Sequence, residues 1–268
     1  MPIVTISRGS YSRGKEVAEE LARVMGYECI SRDIILEASE QFNIPELKLI
    51  RAIHDAPSVL DRFTYGKERF VVFFRAALLK HLQRDNVVYH GLAGHFFVQN
   101  MPHVLKVRIS ADIEARIREE IKRKNISASE ARHVLVKDDA ERRKWGLQLY
   151  GMDTWNPLLY DIVIHTRRID IPDAVFIIQQ TLQRPCFQTT PRSRRLLDDL
   201  SLAAQVESAL VKEYPKVTAD AKNGEVIVNI RASLIDEQSI TEKVKGMCAK
   251  VDGLESINVN IVPFVVDD

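Results

Sequence analysis

Short β-branched runs alternate with amphipathic stretches along the first two thirds of the chain. Pro2-Ile3-Val4-Thr5-Ile6 carries no charge and reads as a buried strand. Val17, Leu21, Val24 and Met25 follow at helical spacing, and Gly26 supplies a C-terminal stop. Glu28-Cys29-Ile30 is a short second strand. Ser31 then caps a helix bearing Ile34, Ile35 and Ala38, and Pro45 opens another helical stretch. Phe70, Phe73, Phe74, Ala77, Leu78 and Leu82 mark a helix apolar enough to be core rather than a base-stacking surface. Val87-Val88-Tyr89, Val104-Leu105-Lys106-Val107-Arg108-Ile109 and Ile162-Val163-Ile164 complete a set of five strands with helices between them. That alternation predicts an α/β fold whose parallel sheet is covered on both faces.

Two segments break the pattern. Residues 112–150 are helical and densely charged, and Ser127 with Glu130 forms a capping-box signal that starts a new helix there. Arg116, Arg118, Lys122, Arg123, Lys124, Arg132, Arg142 and Arg143 lie in this region. Solvated outer faces explain such charges; so does a mobile lid that carries arginines onto phosphates. Residues 184–197 contain RPCFQTTPRSRR, with no helical or strand period, and read as a linker. Residues 198–268 then form a small α+β unit. Its parts are a helix through Leu200, Ala203, Val206 and Leu210, a hairpin turning at Asn223-Gly224, a helix through Ile240, Val244, Met247 and Val251, and a closing strand from Ile257. The division predicts two units, 1–183 and 198–268, each with its own core.

Charge refines this division. The chain carries a net +1, but residues 198–268 hold 13 acidic against 7 basic residues, a net of −6, which leaves +7 on the first 197. A basic larger unit suits a ligand with several phosphates, although surface lysines give the same count. Cys29, Cys186 and Cys248 are widely spaced and odd in number, which fits neither a zinc site nor a disulfide framework. With no apolar run of membrane length and no secretory leader pattern, the expected location is the cytoplasm, without integral membrane association.

The candidate chemistry sits directly after the first strand. Gly9-Ser10-Tyr11-Ser12-Arg13-Gly14-Lys15-Glu16 has the spacing G-x-x-x-x-G-K of a phosphate-binding loop, with Glu16 where Ser or Thr is usual. Strand, glycine loop and helix N-terminus together make an anion trap, to which Lys15 adds a full charge. A Cβ at Gly9 or Gly14 is expected to obstruct the turn. Glu16 suits either a metal ion or a neighbouring cation. His90 and His95, five apart with no third ligand, read as hydrogen-bonded loop histidines rather than metal ligands.

VTISRGSYSRGKEVAEELA, SRDIILEASEQF, NVVYHGLAGHFF, VLKVRISADIEARI, DDAERRKWGLQLYG and YDIVIHTRRI, in that order, resemble the cytidylate-kinase-like branch of the P-loop nucleoside monophosphate kinases. The resemblance implies a five-stranded parallel sheet, an ATP site with Mg²⁺, and phosphoryl transfer to a nucleotide, with no nucleic-acid partner. It places Gly9 to Glu16 on the ATP phosphates, Lys15 between donor and acceptor, and Arg116 and Arg142 (in Asp139-x-x-Arg142) as lid cations. Asp33 falls near the acceptor. Related kinases place Arg and an acidic residue after the third strand. Here Leu92 and His95 stand there, which counts against CMP as acceptor and leaves a weakened, ATP-binding regulator as the alternative. Residues 198–263 resemble a BON domain through Asn223-Gly224 and Val251-Asp252-Gly253-Leu254. That likeness implies a protein or envelope partner, although a net −6 gives no attraction to anionic lipid.

Overall fold

The computed structural model describes residues 2–9, 12–31, 65–91 and 93–263. The helices expected after Ser31 and Pro45 lie outside them. Five strands, β1 (Ile3–Arg8), β2 (Glu28–Ile30), β3 (Val87–His90), β4 (Val104–Ser110) and β5 (Ile162–His165), form one sheet in the order β2-β3-β1-β4-β5. Every pairing is parallel, with Ile6 opposite both His90 and Val107. β1 is therefore central, and its C-terminal end opens between β3 and β4, where parallel sheets place ligands.

Side-chain alternation divides the sheet into two faces. Val4, Ile6, Val88, Leu105, Val107 and Ile109 pack against α1 (Gly14–Met25) and α6 (Ile171–Leu182). Ile3, Val87, Tyr89 and Val104 pack instead against Phe70, Phe74 and Leu78 of α2 (Gly66–Leu82), with α3 (Gly94–Phe97) and Trp145 closing that side. On α1, Val17 and Leu21 are buried with Ala18 and Ala22, but Val24 is exposed. The alanines take the place expected of Val24, because they fit where the helix lies closest to the sheet. Gly26, at φ 67°, ends the helix as its sequence position implies.

The charged region is a helix pair, α4 (Ile113–Lys124) and α5 (Ala128–Tyr150), with a small core of Ile117, Ala131 and Leu135. The Ser127–Glu130 capping box is formed reciprocally at the start of α5.

The segment read as a linker contains the start of a long helix, α7 (Pro191–Leu210). Thr190 caps it, with the Ser193 amide donating to Thr190 Oγ1 at 3.1 Å and the Thr190 amide to Ser193 Oγ at 2.9 Å. Threonine followed by proline is a strong helix start whatever the apolar period. Beyond α7 come β6 (Thr218–Lys222), β7 (Glu225–Arg231), α8 (Glu237–Cys248) and β8 (Ser256–Val262), giving the expected α-β-β-α-β order in a three-stranded sheet β6-β7-β8. Asn223 and Gly224, at φ 50° and 85°, make the hairpin turn.

α7 is buried on two sides. Leu197 and Ala204 join the α2 face of the large sheet, while Leu202, Ala203, Val206 and Leu210 pack on Val226 and Val228 of the small one. Phe73 of α2 lies in the small sheet's cluster. Polar contacts reinforce the seam. Arg75 of α2 donates to buried Glu207 of α7, whose other oxygen accepts the Ala219 amide at 2.9 Å. Burial pushes the Glu207 carboxyl upward, against the lowering effect of Arg75. Gln83 donates to Asp198 at 2.7 Å, and Arg194 pairs with Asp85 at 2.6 Å. His103 is fully buried in front of β4, with neither ring nitrogen hydrogen-bonded, and burial lowers its pKa.

Two outcomes follow from this seam. Arg75→Ala leaves Glu207 buried without its cation and is expected to cost about 3 kcal/mol in thermal or urea unfolding, since one partner of a buried pair is removed. Burial disfavours the charged form of His103 in the folded chain, whereas unfolded it ionises below about pH 6.5, so the unfolded state binds more protons and stability falls as pH drops through that value. Melting curves of His103→Leu should lose less between pH 7 and pH 5 than the native chain does; equal loss in both would remove His103 as a cause.

Candidate functional site

β1 ends at Arg8, and α1 begins six residues later at Gly14. Ser10 and Tyr11 lie outside the described residues; Gly9 and residues 12–16 show how the loop is held. The Gly9 amide donates to the Ile109 carbonyl at 3.2 Å. Ser12 is fully buried, its Oγ 3.0 Å from the carbonyl oxygens of both Gly9 and Ile109. Thr166 Oγ1, just beyond β5, lies 3.3 Å from the Ser12 carbonyl and 3.1 Å from that of Ser110. Three strand ends thus fix one loop.

The two glycines differ in what they allow. A Cβ at Gly14 would lie 2.7 Å from Arg8 Cβ and 3.3 Å from Ile109 Cβ, so the start of α1 can approach the sheet only without one. At Gly9 the nearest heavy atoms would stand 3.9 Å away, an ordinary contact. The expected obstruction therefore holds at Gly14 and not at Gly9. Arg13 takes the left-handed conformation, φ 63°, as the chain turns into the helix. The first i→i−4 bond of α1 runs from the Val17 amide to the Arg13 carbonyl at 3.0 Å, so the amides of Gly14, Lys15 and Glu16 precede the helical ladder. These are the groups that bind anions at a helix N-terminus.

Lys15 is exposed and pairs loosely with Glu19, Nζ to Oε1 3.4 Å, so it can turn to a ligand at little cost. Glu16 accepts from Arg13 Nε at 3.2 Å; of its two expected uses, the structure shows the cation.

Two arginines of the α4–α5 helix pair lie against this loop and the strand before it. Arg116 of α4 is buried and makes a two-pronged pair with Asp139 of α5, at 2.7 and 2.9 Å. Its Cζ stands 3.9 Å from where a Gly9 Cβ would be. Arg142, one helical turn beyond Asp139, donates to the Arg8 carbonyl at 3.2 Å. Lys15, Arg116 and Arg142 are thus gathered around one loop, whereas Asp33 lies outside the described residues. Thr166 and the Arg116–Asp139 pairing were not singled out from sequence. Their only signal is position, at the strand ends and three residues before Arg142.

On the α2 face of the same strand ends lies a hydrogen-bonded network. Tyr160 Oη is 3.2 Å from His95 Nε2, 3.2 Å from Ser7 Oγ and 2.9 Å from the Thr154 carbonyl, to which Arg108 also donates at 2.6 Å. His95 is 2% exposed, and burial, with Arg108 and Lys106 nearby, lowers its pKa to about 3. It is a buried, hydrogen-bonded histidine. Leu92 lies outside the described residues. Among the described residues no three His, Cys, Asp or Glu side chains are grouped to hold a metal ion, and no helix is long and apolar enough to cross a membrane.

Comparison with known proteins agrees with this geometry. The profile of the cytidylate kinase-like family matches residues 3–168. A cytidylate kinase of Thermococcus kodakarensis is 36% identical over 93 residues, covering 35% of this chain and 47% of that protein; the chain thus spans about half the length of this relative. A cytidylate kinase of Thermoplasma acidophilum is 26% identical over 199 residues, covering 72% of this chain and 99% of that protein. Among solved structures, an uncharacterized protein from Eubacterium ventriosum superposes with a TM-score of 0.51 at 18% identity, covering 69% of this chain and 100% of that one, which is a likeness of fold. With residues 3–168 under the family profile and a P-loop on a five-stranded parallel sheet, the chain belongs to the cytidylate kinase-like family.

Proposed function

We propose that the chain transfers the γ-phosphoryl group of ATP to a nucleoside monophosphate or a related small acceptor. The observation that carries this reading is the bracket of cations around the loop: Lys15 beside the α1 N-terminus, Arg116 fixed by Asp139 over Gly9, and Arg142 on the Arg8 carbonyl. Phosphoryl transfer asks little covalent chemistry of a protein. It asks for positioning, and for positive charge where charge builds up on the transferring oxygens. The loop amides and Lys15 bind the donor phosphates, with residues Gly9 to Glu16 as the cradle. Arg116 and Arg142 face the transferring group from the lid. Asp33 is assigned to the acceptor side by resemblance alone. An acceptor phosphate is already anionic, so no dedicated general base is needed.

Mg²⁺ fits this donor set as an ion carried on phosphate oxygens and water, a common state for a metal that sheds water reluctantly. The nearby carboxylates Glu16 and Glu19 are each engaged by a cation, Arg13 and Lys15. When bound, the ion neutralises phosphate charge; the chain's own groups orient the chain of phosphates.

For the smaller unit we propose a BON-like interaction role over residues 198–268, supported by its α-β-β-α-β order and the Asn223-Gly224 turn. With net −6, the partner is a protein rather than anionic lipid.

A panel of nucleoside monophosphates assayed with Mg-ATP tests the reaction; no turnover with any of them would remove it. Lys15→Ala should weaken Mg-ATP binding by about tenfold or more in calorimetry, the worth of one charge-assisted contact. Its melting temperature should hardly move, because the side chain is exposed. Arg142→Ala should spare Mg-ATP affinity and lower kcat about a hundredfold, as expected of a group acting on developing charge. An equal loss of ATP affinity would place Arg142 in ground-state binding instead.

A further inference from the structure

His90 ends β3 directly opposite Ile6 of β1, three residues before the phosphate loop starts. Alternation along β3 fixes its side. Val87 and Tyr89 pack in the α2-facing cluster, and Val88 packs with Val17, Ala18 and Leu21 of α1. His90 therefore shares the α1 face with Val88, at the end of the strand nearest the loop. The charged groups around it come from the same place: Arg8 at the end of β1, and Lys15 and Glu19 in the first turns of α1. Only 5% of His90 is exposed.

A buried imidazole in this position calls for a reason, because an unpaired polar group inside a protein costs free energy unless something satisfies it. Nδ1 is buried and meets no hydrogen-bond partner among the described residues. Burial and the neighbouring cations Arg8 and Lys15 lower the pKa to about 4, so the ring is neutral at neutral pH and carries one proton. With no acceptor near Nδ1 among the described residues, the proton belongs on Nε2, since an orphaned donor is the rarer and costlier defect. The ring thus holds a neutral N–H donor at its far end, on the sheet face that runs up to the loop.

We propose that His90 is a binding residue of the phosphate site, its Nε2–H donating to an oxygen of the bound phosphates or of a water on their metal ion. The role rests on the nucleotide reading above and adds to it a named contact from β3. The position suits a neutral donor. A carboxylate there would pair with Arg8 and Lys15 and draw Lys15 from the ligand, whereas a protonated imidazole would repel both. Neutral histidine adds a hydrogen bond without altering the charge of the cradle.

Two amide variants separate the contact from simple packing. Glutamine places its amide nitrogen about where Nε2 stands, and asparagine places its own near Nδ1, one bond short. Mg-ATP binding to the full chain is measured by calorimetry, with melting temperature as the check on folding, and inorganic triphosphate serves as a base-free probe. His90→Asn should bind both ligands about tenfold more weakly, the worth of one hydrogen bond to a charged group. His90→Gln should stay within about threefold of the native chain, the part of that bond's worth lost to imperfect alignment. Native affinity in His90→Asn, or an equal loss in both variants at equal melting temperature, overturns the role of Nε2. If His90→Asn does not fold, His90→Gln decides: a loss of tenfold or more while folded overturns the proposal. Failure of the unsubstituted chain to bind Mg-ATP sinks the nucleotide reading and His90 with it, a result distinct from any difference between variants.

Discussion

Ser12 is the fixed point of the site. Its hydroxyl is fully buried and lies equally close to the carbonyls of Gly9 and Ile109, so the loop is tied at once to its own first residue and to the end of β4. Gly14 completes the tie by letting α1 come within contact of Arg8 and Ile109. The clasp determines where the amides of Gly14, Lys15 and Glu16 stand before any ligand arrives. Preorganised donors need little rearrangement as charge develops, and much of the catalytic worth of such loops lies there. Thr166 holds the same loop from β5, so a disturbance at the sheet edge reaches the cradle through one side chain.

The α4–α5 helix pair is organised on a similar principle. A buried guanidinium is costly alone, and Asp139 offsets that cost with two parallel hydrogen bonds. The pair fixes Arg116 to α5 as well as to α4, so the two helices carry their arginines as one body. Arg142 then joins that body to the end of β1 through the Arg8 carbonyl. Cations and loop are in register because α5 presents Asp139 and Arg142 one turn apart on the same side.

Much of this was legible in the sequence because it is local. The five short runs read as strands became five strands, the loop motif lay between the expected strand and helix, and the Ser127–Glu130 box formed where it was read. What escaped depends on distant partners. His95 is explained by Tyr160, 65 positions away, which no periodicity reveals. Phe70, Phe73 and Phe74 all read as core, yet Phe73 belongs to a different core from its neighbours. A helix with a wide apolar surface buries more than one face, so its pattern cannot say which face meets which partner. The start of α7 was hidden for the same reason. Charged and small residues dominate its first turns, where Leu197 is the one deeply buried apolar side chain beside the capping Ser193, so the capping residues are the better signal.

α7 also changes how the two parts of the chain relate. A flexible linker would leave the smaller unit free to turn. A helix buried between α2 and the small sheet gives both parts a common wall. α2 leads through the Asp85–Asn86 turn into β3, and β3 carries His90 beside the loop. The contacts of α7 are spread along α2, from Arg75 near its middle to Gln83 at its end, with Asp85 held just beyond. Any tilt of the smaller unit therefore loads the helix that precedes β3. Packed interfaces of this kind settle into discrete arrangements rather than yielding smoothly.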